Sequence, residues 1–316
     1  MQLRRLASAV LLMVTLIGLL PLQALDKDEK PSTTTESVKM TVTARVLGEN
    51  KRMPNISRED VIVTQGKDRL RVTNWAPARG LDLFILIDES SDTSLGSYLD
   101  ELRSFIVSQP SNTSVGIGYM RNGTVYMAQN FTNDLPKAAN AVRLPLASSG
   151  AFGSPYLSVI DLMKRWPENS NRREVVMITD GIDRLRGGPW RRGLGFISPD
   201  VDSASTVAQR TGTIVNTIFA RGVGRRGSNF WEITNGQNGM AKLADETGGE
   251  SFFLGTQNAV SFRPYLDSLQ KSFENRYVLE FQPLPGKKPG LKPVTLTTEI
   301  AGVELDSADS VWVDAR

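Results

Sequence analysis

Two apolar runs in this 316-residue chain stop abruptly in oxygen-bearing side chains. The first, Leu81 to Asp92, reads LDLFILIDESSD, so Asp88, Glu89, Ser90, Ser91 and Asp92 follow directly on Leu83 to Ile87. The second, Glu174 to Gly181, reads EVVMITDG and ends in Thr179, Asp180 and Gly181. Carboxylates and hydroxyls with no nitrogen or sulfur among them form the donor set of a hard cation, Mg2+ or Ca2+. The chain has no histidine and no cysteine. Without them there is no Ser-His-Asp or Cys-His arrangement, no imidazole or thiolate zinc site and no disulfide. A Ser-Lys pair or a metal held by carboxylates remains for catalysis.

These residues need elements that place them. An unbroken apolar run of strand length suits a strand buried on both faces of a parallel sheet, and open α/β sheets bind ligands at the carboxyl ends of such strands. The apolar spacing of Leu95, Leu99, Leu102, Phe105 and Ile106 predicts a crossover helix over Ser94 to Ser108. Val115 to Met120 and Thr124 to Gln129 flank Asn122-Gly123, a hairpin signal, so one edge strand is expected to run antiparallel. Helices near Asp134 to Leu144, Tyr156 to Trp166, Asp202 to Arg210, Gly239 to Thr247 and Val260 to Phe273 alternate with strands at Glu174 to Ile178, Thr213 to Phe219 and Ser251 to Leu254. That alternation predicts an α/β fold with a doubly wound, mostly parallel sheet over residues 79–274.

On either side the period changes. Val38 to Val46 alternates like a half-buried strand, and Asp60 to Gln65 with Arg69 to Trp75 reads as a hairpin around Gly66-Lys67-Asp68. After Phe273, Arg276 to Gln282, Val294 to Ile300 and Ser310 to Val313 look extended, with a Pro/Gly/Lys loop from Pro283 to Pro293. The segments 38–78 and 275–316 are therefore expected to form one small β module. Residues 1–24 combine MQLRR, an apolar run from Leu6 to Leu20 and Ala24, the pattern of a secretory signal; Leu22 leaves an uncleaved anchor as the alternative. Residues 25–37 read as a mobile linker. Export to the periplasm, cell envelope or exterior follows. A net charge of +3 says little about partners.

The pieces resemble a known family. A hydrophobic strand ending D-x-S-x-S, a later Gly-[Thr/Ser] loop and a second hydrophobic strand ending Asp-Gly make up the metal-ion-dependent adhesion site of von Willebrand factor type A-like domains. Here they stand as Asp88, Ser90 and Asp92, then Gly153-Ser154, then Thr179-Asp180-Gly181. With its flanking β segments, the chain resembles the exported bacterial proteins called VWFA-related. The resemblance implies strand order 3-2-1-4-5-6, with Asp88 and Asp180 on adjacent strands. It also implies Mg2+ or Ca2+ held directly by Ser90 and Ser154, with Asp88 and Asp180 binding directly or through water. Asp92 replaces the second serine and makes the site anionic. Three readings are open: Asp92 points away, the site prefers Ca2+ or a neutral donor, or it is a structural relic.

Arg184, Arg186, Arg191 and Arg192 follow one site strand, and Arg225 and Arg226 the next, so they are expected to form a rim favouring an acidic protein partner, with Trp190 and Trp231 as candidate anchors. Bland alternatives are solvated loop charges and aromatic caps on a core. Gly222-Val223-Gly224-Arg225-Arg226-Gly227 matches G-x-G-x-x-G formally, but it lies late and no clear amphipathic helix is visible after it. No nucleotide and no nucleic acid are expected. The implied function is that of a non-enzymatic binding protein; the rivals are an envelope scaffold with a vestigial metal site and a carboxylate-metal hydrolase.

Overall fold

The computed structural model describes residues 37–48, 52–146, 153–169, 171–185, 197–224, 229–286 and 288–314. The expected signal and almost all of the expected linker lie outside them. Among the described residues no helix is long and apolar enough to cross a membrane.

A six-stranded sheet forms the centre. It contains β5 (Leu81–Asp88), β6 (Thr113–Arg121), β7 (Thr124–Thr132), β8 (Arg172–Thr179), β9 (Thr213–Phe219) and β10 (Ser251–Phe252), in the order β10-β9-β8-β5-β6-β7. Counted from β5 this is 3-2-1-4-5-6, as the resemblance implies. Only β7 runs antiparallel, joined to β6 by Asn122 and Gly123, both at positive φ (54° and 74°) as a two-residue hairpin turn demands. Every residue of β5 is buried, because helices cover both faces. On one face Leu83, Ile85 and Ile87 pack with α1 (Leu99–Val107), α2 (Leu135–Asn140) and α6 (Arg263–Glu274). On the other, Phe84 and Leu86 pack with α3 (Pro155–Lys164), α4 (Pro199–Thr211) and α5 (Phe230–Thr247).

The β module is woven from both ends of the chain. In its four-stranded sheet, β1 (Val38–Val46) lies between β11 (Arg276–Gln282) and β14 (Val303–Ser307), and β11 pairs in turn with β4 (Arg71–Pro77). A second sheet holds β2 (Val61–Gln65), β3 (Asp68–Arg69) and β13 (Thr295–Thr298); a third pairs β12 (Gly290–Pro293) with β15 (Ser310–Val313). All three contribute to one apolar cluster that includes Val42, Val63, Phe281 and Val313. Because β4 leads into β5, and α6 leads through Asn275 into β11, the central domain enters and leaves at neighbouring strands.

Several expectations are corrected. The hairpin around Gly66 is short, since β4 leaves β3 to pair with β11. The first crossover begins as a 3-10 helix, Thr93–Tyr98. The Pro/Gly/Lys loop contains β12, and β14 had no counterpart in the expected pattern. α5 begins at Phe230, nine residues before the expected Gly239, so Trp231 lies on its first turn, and a helix does follow the Gly-rich loop.

Candidate functional site at the carboxyl edge of the central sheet

Asp88 is the last residue of β5, and Asp180 follows the last residue of the adjacent β8, where Ile87 pairs with Ile178. Both carboxylates are buried, with Asp180 only 1% exposed. A buried carboxylate requires hydrogen-bond donors or a counter-charge, and each has found its own. Asp88 Oδ1 accepts the Ser90 backbone N–H at 2.8 Å and the Ser90 hydroxyl at 2.7 Å; its Oδ2 accepts the Thr179 hydroxyl at 2.6 Å. Asp180 Oδ1 accepts the Ile182 N–H at 2.9 Å and Arg184 Nη1 at 3.2 Å, and Arg184 Nη2 donates to Asp180 Oδ2.

Arg184 is thereby removed from the rim. Its side chain is 7% exposed and turned inward onto Asp180, with its backbone N–H fixed at 3.0 Å by the Gly153 carbonyl. The expectation of a solvent-facing charge fails because the turn begun by Gly181, at φ 70°, brings residue 184 back over the strand end. Burial pushes the Asp180 carboxyl above its ordinary range, Arg184 opposes this, and the nearby Asp88 adds to it. Burial works against the Arg184 charge, but Asp180 and then Asp88 outweigh it and hold the guanidinium proton more firmly than usual.

Ser154 occupies the N-cap position of α3 and is fully buried, yet its hydroxyl makes no capping bond and has no partner. It lines a cavity of about 10 Å³ together with Asp88, Arg184 and the β6–β7 turn, space on the scale of a single water. The structure thus brings together Asp88, Ser90, Ser154 and Asp180. Asp92 is engaged elsewhere by one oxygen: its Oδ1 caps the 3-10 helix through the Ser94 N–H at 2.9 Å, and that bond leads in holding its carboxyl below the usual range. Glu89 turns aside to Arg143, which stacks on Tyr119 with its guanidinium carbon 3.8 Å from the ring centre.

Arg186, Trp190, Arg191, Arg192, Arg225 and Arg226 lie outside the described residues. Sequence reasoning missed Thr179 as a donor to Asp88 and Gly222 as part of the site. A Cβ at Gly222 would overlap Asp180 Oδ2 and Arg184 Nη2, so this glycine answers to the ion pair beneath it. The bridge between Ser91 and Gly222, with Val223 N–H donating to Ser90 O at 2.8 Å, lays the loop after β9 across the site.

A divalent ion between the carboxylates would need oxygens that already accept bonds. Of Asp88, Ser90, Ser154 and Asp180, only Ser154 has a side-chain oxygen with no hydrogen bond, and among the described residues no group of three or more His, Cys, Asp or Glu side chains is placed to hold a metal. As arranged, the residues do not fit a divalent ion while Arg184 rests on Asp180.

Strand order and the placement of Asp88, Ser90, Ser154 and Asp180 decide the fold type. The α/β domain is von Willebrand factor type A-like. Solved structures similar to this chain include an aerotolerance-related membrane protein from Bacteroides fragilis, with 12% identity over 61% of this chain and 98% of that one, and a TM-score of 0.44. They also include BatB from Bacteroides thetaiotaomicron, with 16% identity over 61% and 97% of the two chains and a TM-score of 0.44, and the VWA domain of SpRpn10, with 11% identity over 61% and 94% and a TM-score of 0.38. No family model matches the sequence, and no curated protein matches it at significant similarity.

Proposed function

We propose that this chain is an exported, non-enzymatic binding protein whose type A-like domain docks an acidic protein partner at the carboxyl edge of its sheet. The observation that carries the reading is where the large exposed apolar side chains lie. Of the twelve among the described residues, eight sit in loops or first helical turns at that edge: Leu144, Leu146, Leu185, Phe230, Trp231, Phe253, Leu254 and Val260. Phe230 and Trp231 pack edge to face at the start of α5, with ring centres 5.0 Å apart. Apolar side chains gathered on one surface mark an interaction site, and aromatic ones supply its anchors.

Charge gives the partner its sign. The stretches of sequence between β8 and α4 and between β9 and α5 carry Arg186, Arg191, Arg192, Arg225 and Arg226, which favours an acidic surface. The hydrogen-bonded state of Asp88 and Asp180 supports a non-catalytic role, since neither carboxylate is presented as a free base. Export rests on the composition of residues 1–24.

The test is retention of an envelope or exported protein by the immobilised chain. A species held by wild type, released by added salt and lost on Phe230→Ser with Trp231→Ser, but kept by Tyr126→Ser on the β7 edge strand, bears out the proposal. Retention that survives the edge changes and is lost on changes in the β module supports the scaffold reading instead.

A further inference from the structure

The site holds two buried carboxylates and one buried guanidinium where a type A-like fold would otherwise seat a divalent ion. We infer that Arg184 is the resident cation of this site, a tethered positive charge that makes the domain independent of divalent metal. The inference stands apart from the choice of partner, because it concerns the internal charge balance of the domain.

Three observations carry it. First, Arg184 engages Asp180 with both terminal nitrogens, covering both carboxylate oxygens that an ion would need, and lies in the same small cavity as Asp88 and Ser154. The pair is charge-assisted and two-pronged, the strong form of such contacts. Second, the surroundings are built for an arginine. The Gly153 carbonyl fixes its backbone, and Gly222 leaves the space its Nη2 fills, which any side chain at 222 would take away. Third, the hydroxyls are arranged for a carboxylate acceptor. Ser90 and Thr179 point their hydrogens at Asp88, which satisfies that acid without a metal. Asp92, which would raise the negative charge around an ion, is engaged as a helix cap.

The consequence is a competition. A divalent ion binds this site only by expelling a buried arginine from its partner, leaving that charge to find water. In wild type the ion is therefore excluded. Removing the guanidinium leaves Asp88 and Asp180 beside the unpartnered Ser154 hydroxyl, an oxygen-only set with an unbalanced negative charge, which is what Mg2+ or Ca2+ takes.

The experiment compares full-length wild type with Arg184→Ala in thermal unfolding, each with chelator and with millimolar Mg2+ or Ca2+. The wild-type melting temperature is expected to be the same in all conditions. Arg184→Ala is expected to melt lower in chelator and to recover on the order of 5 °C with saturating metal, because the ion then binds only the folded form. Calorimetric titration of wild type with Mg2+ and Ca2+ gives a readout that does not depend on the variant folding. No binding heat is the expected result. A stoichiometric site in wild type, or a metal-dependent rise in its melting temperature, overturns the inference, as does an Arg184→Ala protein as stable in chelator as wild type.

Discussion

Strand β8 carries a buried carboxylate near each end, and an arginine answers each of them by a different route. Near the amino end, Glu174 is fully buried and accepts Arg276 Nε at 3.1 Å, Arg276 Nη2 at 3.2 Å and Asn216 Nδ2 at 3.2 Å. Arg276 is itself 2% exposed and opens β11, so this pair ties the central sheet to the β module across 102 residues of chain. Arg172 adds a second latch, donating to the carbonyls of Ala78 and Phe273 beside the two crossing points. At the carboxyl end the partner of Asp180 is local, four residues on in a loop, and beside it lie an unpartnered hydroxyl and a small cavity. One end of the strand sets two buried arginines, Arg276 and Arg172, against Glu174 and joins two parts of the molecule. The other is balanced by one side chain from a loop, at the place where α/β sheets take ligands.

Breaking the Glu174 end should have the largest effect. Glu174→Ala strands Arg276 in the interior and is expected to lower stability by roughly 3–5 kcal/mol in urea unfolding, with no recovery by divalent metal. Arg184→Ala removes the counter-charge of Asp180 but leaves it the Ile182 N–H, so its loss should be smaller, about 2–3 kcal/mol in chelator. If the two losses were equal and both indifferent to metal, the distinction between the ends would collapse.

Ser154→Ala sharpens the comparison from the other side. Because the hydroxyl has no partner, its removal should change stability by less than about 1 kcal/mol in either direction. A loss well beyond that, read by the same unfolding measurement, would mean that Ser154 is engaged by something the charge balance at Asp180 does not include.

The smallest effect is expected at Asp309, an exposed acid at the end of the β14–β15 turn that sits near two other carboxylates. Burial, then Glu246 and Asp245, push its carboxyl above the ordinary range, while Lys242 stands 3.7 Å from Glu246. A raised folded-state value means that the contribution of Asp309 is complete at pH below about 4 and is lost as pH rises through the folded value. Asp309→Asn should therefore stabilise the protein at pH 7, by less than about 1 kcal/mol after solvent screening, and not at pH 3.5. Melting curves at the two pH values decide it.

What could be read from sequence follows the range of the forces involved. The unbroken apolar runs of β5 and β8, the Asn122-Gly123 turn and the helix–strand alternation are local signals, and they were enough for a doubly wound, mostly parallel sheet; the strand order and the meeting of Asp88, Ser90, Ser154 and Asp180 were implied only by the resemblance to type A-like domains. The first half of α5 was hidden because Gly236 and Gly239 interrupt its apolar period. Both glycines serve packing: a Cβ at 236 would overlap the Asp180 carbonyl, and one at 239 the Tyr156 hydroxyl. β4 looked like a hairpin partner because its true neighbour, β11, lies some 200 residues away. Arg184 was indistinguishable from its loop neighbours, since only the folded turn reveals an arginine pointing inward.

The most direct measurement is a crystal structure grown with millimolar Mn2+, whose anomalous scattering marks the ion. The account predicts no anomalous peak between Asp88 and Asp180, with the Arg184 guanidinium on Asp180 in wild type, and a peak at that place in Arg184→Ala. A Mn2+ peak between the two carboxylates of the wild-type protein, with Arg184 swung out to solvent, would contradict it.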